Sequence, residues 1–179
     1  MRLFLAINLP DELKKGISQR GRDLSKFGKF KLVEEENIHL TLKFLGEVEE
    51  KNVSEIVNTL KQINLEKFKI GIRGVGVFPN PNFIKVVWVG VEEGSNEVIE
   101  IQKKIDDALK KLGFPKDKKF HHHATIARAK FVKDKKGLLD FLEKNKAREF
   151  GSFETSSFDL MESKLSREGP EYRVVEIFQ

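Results

Sequence analysis

Hydrophobic and polar positions along the chain follow two periods, and the first to appear is that of a strand. Leu3 to Leu9 is a short apolar run that predicts a β-strand. Pro10 then suits the opening of a helix, with Asp11 and Glu12 in its first turn. Leu13, Ile17 and Leu24 give that helix an apolar stripe, which Gly16 and Gly21 weaken. Lys26 to Lys31 alternates lysine with Phe27 and Phe30 and reads as a loop or a short strand. From His39 to Gly46 the alternation is clean. His39, Thr41 and Lys43 are expected on one face, Leu40, Leu42 and Phe44 on the other. Val53, Ile56, Val57 and Leu60 fall at helical spacing. Phe68 to Ile72 and Gly74 to Phe78 read as strand material with glycine bends or a bulge, and Pro79-Asn80-Pro81-Asn82 breaks the chain.

After that break the order begins again. Ile84 to Val91 predicts a strand containing the lone Trp88. Val98, Ile101, Ile105, Ala108 and Leu112 mark a helix, which Gly113 ends with Pro115 just beyond. His123 to Arg128 is the next strand. Leu138, Phe141 and Leu142 mark another helix, for which Asp134 is a cap candidate. Phe150 to Phe153, Ser157 to Leu165 and Tyr172 to Phe178 close the chain as three strands. Each half therefore runs strand, helix, histidine strand, helix, strands. The expectation is an α+β class: a bilobal, pseudo-duplicated fold with two antiparallel β-sheets backed by helices around a central groove. Residues 1–179 form one domain with lobes at approximately 1–80 and 81–179, strand exchange between lobes being allowed.

Composition narrows the chemistry. There is no cysteine, which removes disulfides, thiolate nucleophiles and cysteine-ligated zinc. The net charge of +5 is compatible with a polyanionic partner without demanding one. The N-terminal apolar run is too short for a signal peptide, and Asn8, Asp11 and Glu12 follow it at once. No stretch has transmembrane length, so a cytoplasmic protein with no membrane partner is expected, a monomer by default.

The pattern that remains is a repeated His-x-Thr: His39-Leu40-Thr41 and His123-Ala124-Thr125. On a strand, residues i and i+2 point the same way, about 6.5–7 Å apart. Two imidazoles, one neutral and one protonated, make a general base and a general acid near neutrality. Two hydroxyls can donate to non-bridging phosphoryl oxygens, and a guanidinium can neutralise charge that builds there. Arg128 is the candidate guanidinium. At five residues past His123 it points away on an ideal strand and reaches the site only if the strand bends or ends near Ala127. The set suits in-line attack of water on a phosphodiester without a metal or other cofactor. His121-His122-His123 is not expected to bind metal, because adjacent strand residues alternate faces.

The segments His39-Leu40-Thr41-Leu42-Lys43-Phe44-Leu45-Gly46 and His123-Ala124-Thr125-Ile126-Ala127-Arg128 resemble the two signature motifs of the two-histidine phosphoesterase superfamily. Within it they are most similar to the RNA 2′,3′-cyclic phosphodiesterases, historically called 2′-5′ RNA ligases. Arg2-Leu3-Phe4-Leu5-Ala6-Ile7 and Leu160 to Leu165, with Gly169 and Tyr172, also look like the family. The resemblance implies hydrolysis of an RNA terminal 2′,3′-cyclic phosphate to a 2′-phosphomonoester in a groove between lobes. It implies His39 as proton donor, His123 as proton acceptor, and Thr41, Thr125 and Arg128 as phosphate-binding residues. The residues by themselves leave acid and base unassigned. The implied partner is RNA with a cyclic-phosphate end or a cyclic nucleotide, and reverse 2′-5′ ligation would proceed without ATP. A nucleotide- or RNA-binding module with vestigial chemistry is the alternative.

Other side chains carry smaller expectations. Lys43 reads as an exposed strand lysine rather than an RNA contact. Lys116, Lys118, Lys119 and Phe120 form a basic loop that could steer RNA but reads first as solvated. Tyr172, Phe44 and Trp88 are expected in the core. Glu34-Glu35-Glu36 is expected to be a solvated turn, repelling RNA if it borders the groove. His121 is expected on the face of His123, and His122 on the opposite one.

Overall fold

The computed structural model describes residues 1–167 and 169–179. Its strands are β1 (Arg2–Asn8), β2 (Gly28–Leu32), β3 (His39–Glu47), β4 (Phe68–Asn80), β5 (Phe83–Val91), β6 (His123–Val132), β7 (Glu149–Thr155), β8 (Phe158–Leu165) and β9 (Pro170–Phe178). Its α-helices are α1 (Asp11–Arg22), α2 (Glu50–Leu60), α3 (Ser95–Lys110) and α4 (Lys135–Asn145). These follow the periodicities closely. Pro10 stands at the N-cap of α1, where its missing N–H costs nothing. The Asp134 side chain caps α4 by accepting from Gly137 N at 2.9 Å. Lys26 to Lys31 resolves into a 3₁₀ turn running into β2.

Two antiparallel sheets make up the fold: a four-stranded one in the order β3-β1-β8-β9 and a five-stranded one in the order β2-β6-β5-β4-β7. Each His-x-Thr strand thus sits in a different sheet. Strands cross between the halves: β2 and β4 join the sheet of β6, while β8 and β9 join that of β3. Helix α3 packs on β3 and α2 on α3; α1 packs on β6 and β7, and α4 on β4. The main core lies between helices and sheets, with Leu5, Ile7, Leu40, Leu42, Val87, Val89, Ile105 and Phe158 fully enclosed. A second, small cluster of Phe4, Ala6 and Met161, with Tyr172 against it, lines the other face of the four-stranded sheet. Among the described residues no helix is long and apolar enough to cross a membrane.

Candidate active site

Strands β3 and β6 lie against each other across the two sheets. Their exposure patterns match over six residues: partly exposed histidine, buried, partly exposed threonine, two buried, one exposed. Two consecutive buried residues break strict alternation, and strand pairing shows why. Between β5 and β6, Val87 pairs with Ala127 and Trp88 with Thr125, so Ile126 is an extra residue, a β-bulge. Ile126 and Ala127 both turn inward. Arg128 comes out on the face of Thr125, which the unbroken alternation had denied it. Between β1 and β3, Leu5 pairs with Lys43 and Ala6 with Thr41, leaving Leu42 as the extra residue.

The bulge in β3 corrects two expectations. Lys43 is not on the face of His39 and Thr41. It is 3% exposed, and its ammonium lies 2.5 Å from Asp106 Oδ1 on α3. It also donates to the Pro115 carbonyl at 2.8 Å. Phe44 is not core. It is 70% exposed and lines the groove beside His39 and Thr41. Tyr172 is likewise at the site rather than in the main core, and the partly exposed Trp88 ring flanks His123 at 6.1 Å. Nothing in the alternation signals these placements.

One cavity of about 210 Å³ brings together His39, Thr41, Thr125, Arg128, Phe44 and Tyr172. His123 lines an adjoining depression of about 270 Å³ with Phe78, Trp88, His121 and His122. The two imidazoles sense each other, since the charge of His123 disfavours protonation of His39. Glu34 also lines the first cavity, so one acidic group of the Glu34–Glu36 turn does border the groove.

The two histidines are held alike. His39 Nδ1 donates to the Asn37 carbonyl at 2.7 Å, and His123 Nδ1 donates to the His121 carbonyl at 2.7 Å. Each acceptor is two residues back, at the entry to the strand. In the neutral ring a protonated Nδ1 leaves Nε2 as the lone-pair nitrogen. His39 Nε2 accepts from Thr41 Oγ1 at 2.9 Å, and His123 Nε2 has no protein partner among the described residues. Asn37, whose side chain bonds the Pro170 carbonyl at 2.9 Å, ties the His39 entry to β9. Nothing in the sequence marks Asn37, because its contribution to His39 is a main-chain carbonyl.

Aromatic rings enclose both imidazoles. Phe4 lies 5.0 Å from the His39 ring, and Tyr172 meets it edge-on at 5.4 Å. Phe78 meets His123 edge-on at 4.9 Å. Burial therefore pushes His39 from its usual 6.5 to about 4; the Asn37 bond opposes this, while the charges of Lys14 and His123 add to it. His123 is also lowered, first by burial, against its bond to His121, with the charges of His121, His122 and Arg128 contributing. Burial raises the Tyr172 phenol, and the charge of Arg128 opposes that, so Arg128 is felt on both sides of the groove. The His121 ring lies tilted against Phe78 at 5.2 Å, and Phe78 also touches His123. His122 is near Phe120 and is lowered by burial.

The arrangement places one imidazole, two hydroxyls and a guanidinium around one cavity, with the second imidazole, that of His123, two residues along β6 from Thr125. The chain matches the model of the LigT-like phosphoesterase family twice, over residues 7–88 and 89–172. It is 43% identical over 175 residues to a Methanocaldococcus jannaschii protein named RNA 2′,3′-cyclic phosphodiesterase, covering 98% of each chain. It is 37% identical over 179 residues to an Archaeoglobus fulgidus protein of the same name, covering 100% of each. Among solved structures, TT0787 of Thermus thermophilus superposes with a TM-score of 0.81 at 27% identity, over 99% of this chain and 97% of that one. Apo LigT of E. coli superposes with a TM-score of 0.78 at 23% identity, over 99% and 95%.

Proposed function

The chain belongs to the LigT-like phosphoesterase family, and from that premise we propose that it hydrolyses RNA terminal 2′,3′-cyclic phosphates to 2′-phosphomonoesters. Full-length relatives carrying that name support the activity and the substrate class. The observation that carries the mechanism is the matched anchoring of His39 and His123 by carbonyls two residues upstream, each at 2.7 Å. It fixes one tautomer in both rings and presents both Nε2 atoms for proton transfer.

In the proposed reaction His123 Nε2 takes a proton from water as its oxygen bonds phosphorus. The P–O3′ bond breaks, and His39 Nε2 gives its proton to the departing 3′-oxygen. Thr41, Thr125 and Arg128 hold the non-bridging oxygens as charge grows on them. In the free protein His39 is neutral at neutral pH, because its pKa is near 4. The donor role therefore depends on the phosphodiester itself: an anion placed against the ring, in a site screened from water, favours the imidazolium. No step requires a metal ion or ATP. With the 5′-hydroxyl of a second RNA in place of water as the nucleophile, the same breaking of the P–O3′ bond joins the two ends through a 2′-5′ linkage without ATP.

The test is product analysis on a cyclic-phosphate oligonucleotide in excess EDTA, with wild type, His39→Ala and His123→Ala. Wild type should release only the 2′-phosphate. Each variant should lose about 10²–10⁴-fold in rate while staying folded. Replacing the 3′-bridging oxygen by sulfur supplies a leaving group that needs no acid. This should restore His39→Ala and not His123→Ala; the reverse pattern would exchange the roles. Tight binding of 2′-phosphorylated nucleotide without turnover by wild type would instead establish a binding module.

A further inference from the structure

The groove face of the five-stranded sheet continues past Arg128, and two further bulges decide what stands on it. Between β2 and β6, Phe30 pairs with Ala129 and Lys29 with Phe131, so Lys130 is an extra residue. Lys31 pairs with Arg128, and Lys29 lies two residues from Lys31 on the same face. Phe131, opposite Lys29, is thereby returned to the face of Arg128. Between β4 and β5, Phe78 pairs with Val86 and Pro79 with Ile84, so Lys85 is the extra residue. Ile84 turns to the main core, and Phe83, opposite Asn80, comes out on the face of Phe78 and Val86.

Phe83 and Phe131 are 60% and 64% exposed, and they flank an open depression of about 600 Å³. Arg128 lines both this depression and the catalytic cavity, so the two adjoin at its side chain. Lys85, Lys130 and Lys135 also line it, and no carboxylate does so among the described residues. The Lys85 ammonium lies 5.0 Å from the centre of the Phe83 ring. Arg128 to Phe131 spans about 10 Å of strand. Exposed rings bracketed by cations, with no acidic group between them, are complementary to unpaired bases on a phosphate backbone.

We propose that this depression binds the nucleotides on the 5′ side of the terminal cyclic phosphate in single-stranded RNA. Phe83 and Phe131 stack on bases, and Lys85 and Lys130 pair with phosphates. The protein thereby selects RNA ends over free cyclic mononucleotides. This rests on the phosphodiesterase reading above and adds a substrate preference to it.

The experiment compares kcat/KM for a 2′,3′-cyclic mononucleotide and for cyclic-phosphate di-, tri- and tetranucleotides. Wild-type kcat/KM should rise with length. The double variant Phe83→Ala/Phe131→Ala should lose about tenfold or more on the tetranucleotide, the scale of base stacking on an aromatic ring, and nothing on the mononucleotide. Phe83→Leu/Phe131→Leu, which keeps the apolar surface, should lose as much, and it serves if the alanine pair folds poorly. Lys85→Gln/Lys130→Gln should flatten the salt dependence on the tetranucleotide alone. Unchanged tetranucleotide kinetics in both Phe variants would overturn the proposal and leave the rings as a protein contact. An equal loss on both substrates would overturn it too. If wild type turns over neither substrate, the activity reading fails separately. Binding of 2′-phosphorylated mono- and tetranucleotide to the same variants then decides this site by the same length criterion.

Discussion

Replacing Lys43 by methionine tests how the two motifs are held together. The Lys43 ammonium is buried 2.5 Å from Asp106 Oδ1 and bonds the Pro115 carbonyl at 2.8 Å. Asp106 Oδ2 accepts from Gln102 at 2.9 Å and from the Asp117 backbone N–H at 3.0 Å. One cation thus joins the first motif on β3, helix α3 and the segment that leads into His123. Lys43→Met keeps the volume of the stem but leaves Asp106, 5% exposed, without its cation. Removing one partner of such a pair costs about 3–5 kcal/mol, because the stranded charge keeps its desolvation penalty. For a chain of this size that is a fall in Tm of about 6–20 °C. Thermal unfolding by circular dichroism measures it. The companion variant Lys43→Met/Asp106→Leu removes both charges and should recover at least half of the loss. Activity should fall in the single variant beyond what unfolding explains, since the Pro115 carbonyl loses its anchor. A loss below about 1 kcal/mol in Lys43→Met, the scale of a solvated pair, would show that this ion pair does not hold the two motifs together.

Three further outcomes follow from the site. His39 has a folded pKa of about 4 against 6.5 for an ordinary imidazole, so its neutral form stabilises the fold above about 6.5, and that stability is lost as pH falls towards 4. Urea midpoints at pH 7 and pH 4.5 should converge in His39→Gln relative to wild type; an unchanged difference would remove His39 as the cause. Arg128→Ala should cost about 10²–10³-fold in kcat/KM, with Arg128→Lys recovering only part, because the fork geometry is lost; wild-type kinetics in either would exclude it from the phosphate site. Gly76 is the floor beneath Trp88: a Cβ there would stand 2.3 Å from the indole ring, which flanks His123. Gly76→Ala should therefore destabilise by about 1–3 kcal/mol and lower activity through the displaced indole, whereas unaltered Trp fluorescence and kinetics would show that the ring is not confined.

The order of elements, the two strands with His and Thr on one face, the opening of α1 at Pro10 and the Asp134 cap of α4 were legible along the chain. Each depends on residues within a turn or a few strand positions, where period and local chemistry suffice. The facing of Lys43, Phe44, Arg128, Phe83 and Phe131 was not. Alternation carried past Leu42 and Ile126 assigns Lys43, Phe44 and Arg128 to the wrong side. A bulge is a property of a pair of strands, created where β1, β2, β4 or β5 offers one residue against two. Nor could the sequence say that β8 and β9 complete the sheet of the first histidine while β2 and β4 complete that of the second. Periodicity shows which residues share a face only while the pairing stays regular. Where the register slips, the neighbouring strand chooses the face, and here those slips bring Arg128 into the cavity of His39, Thr41 and Thr125 and bury Lys43 beside Asp106.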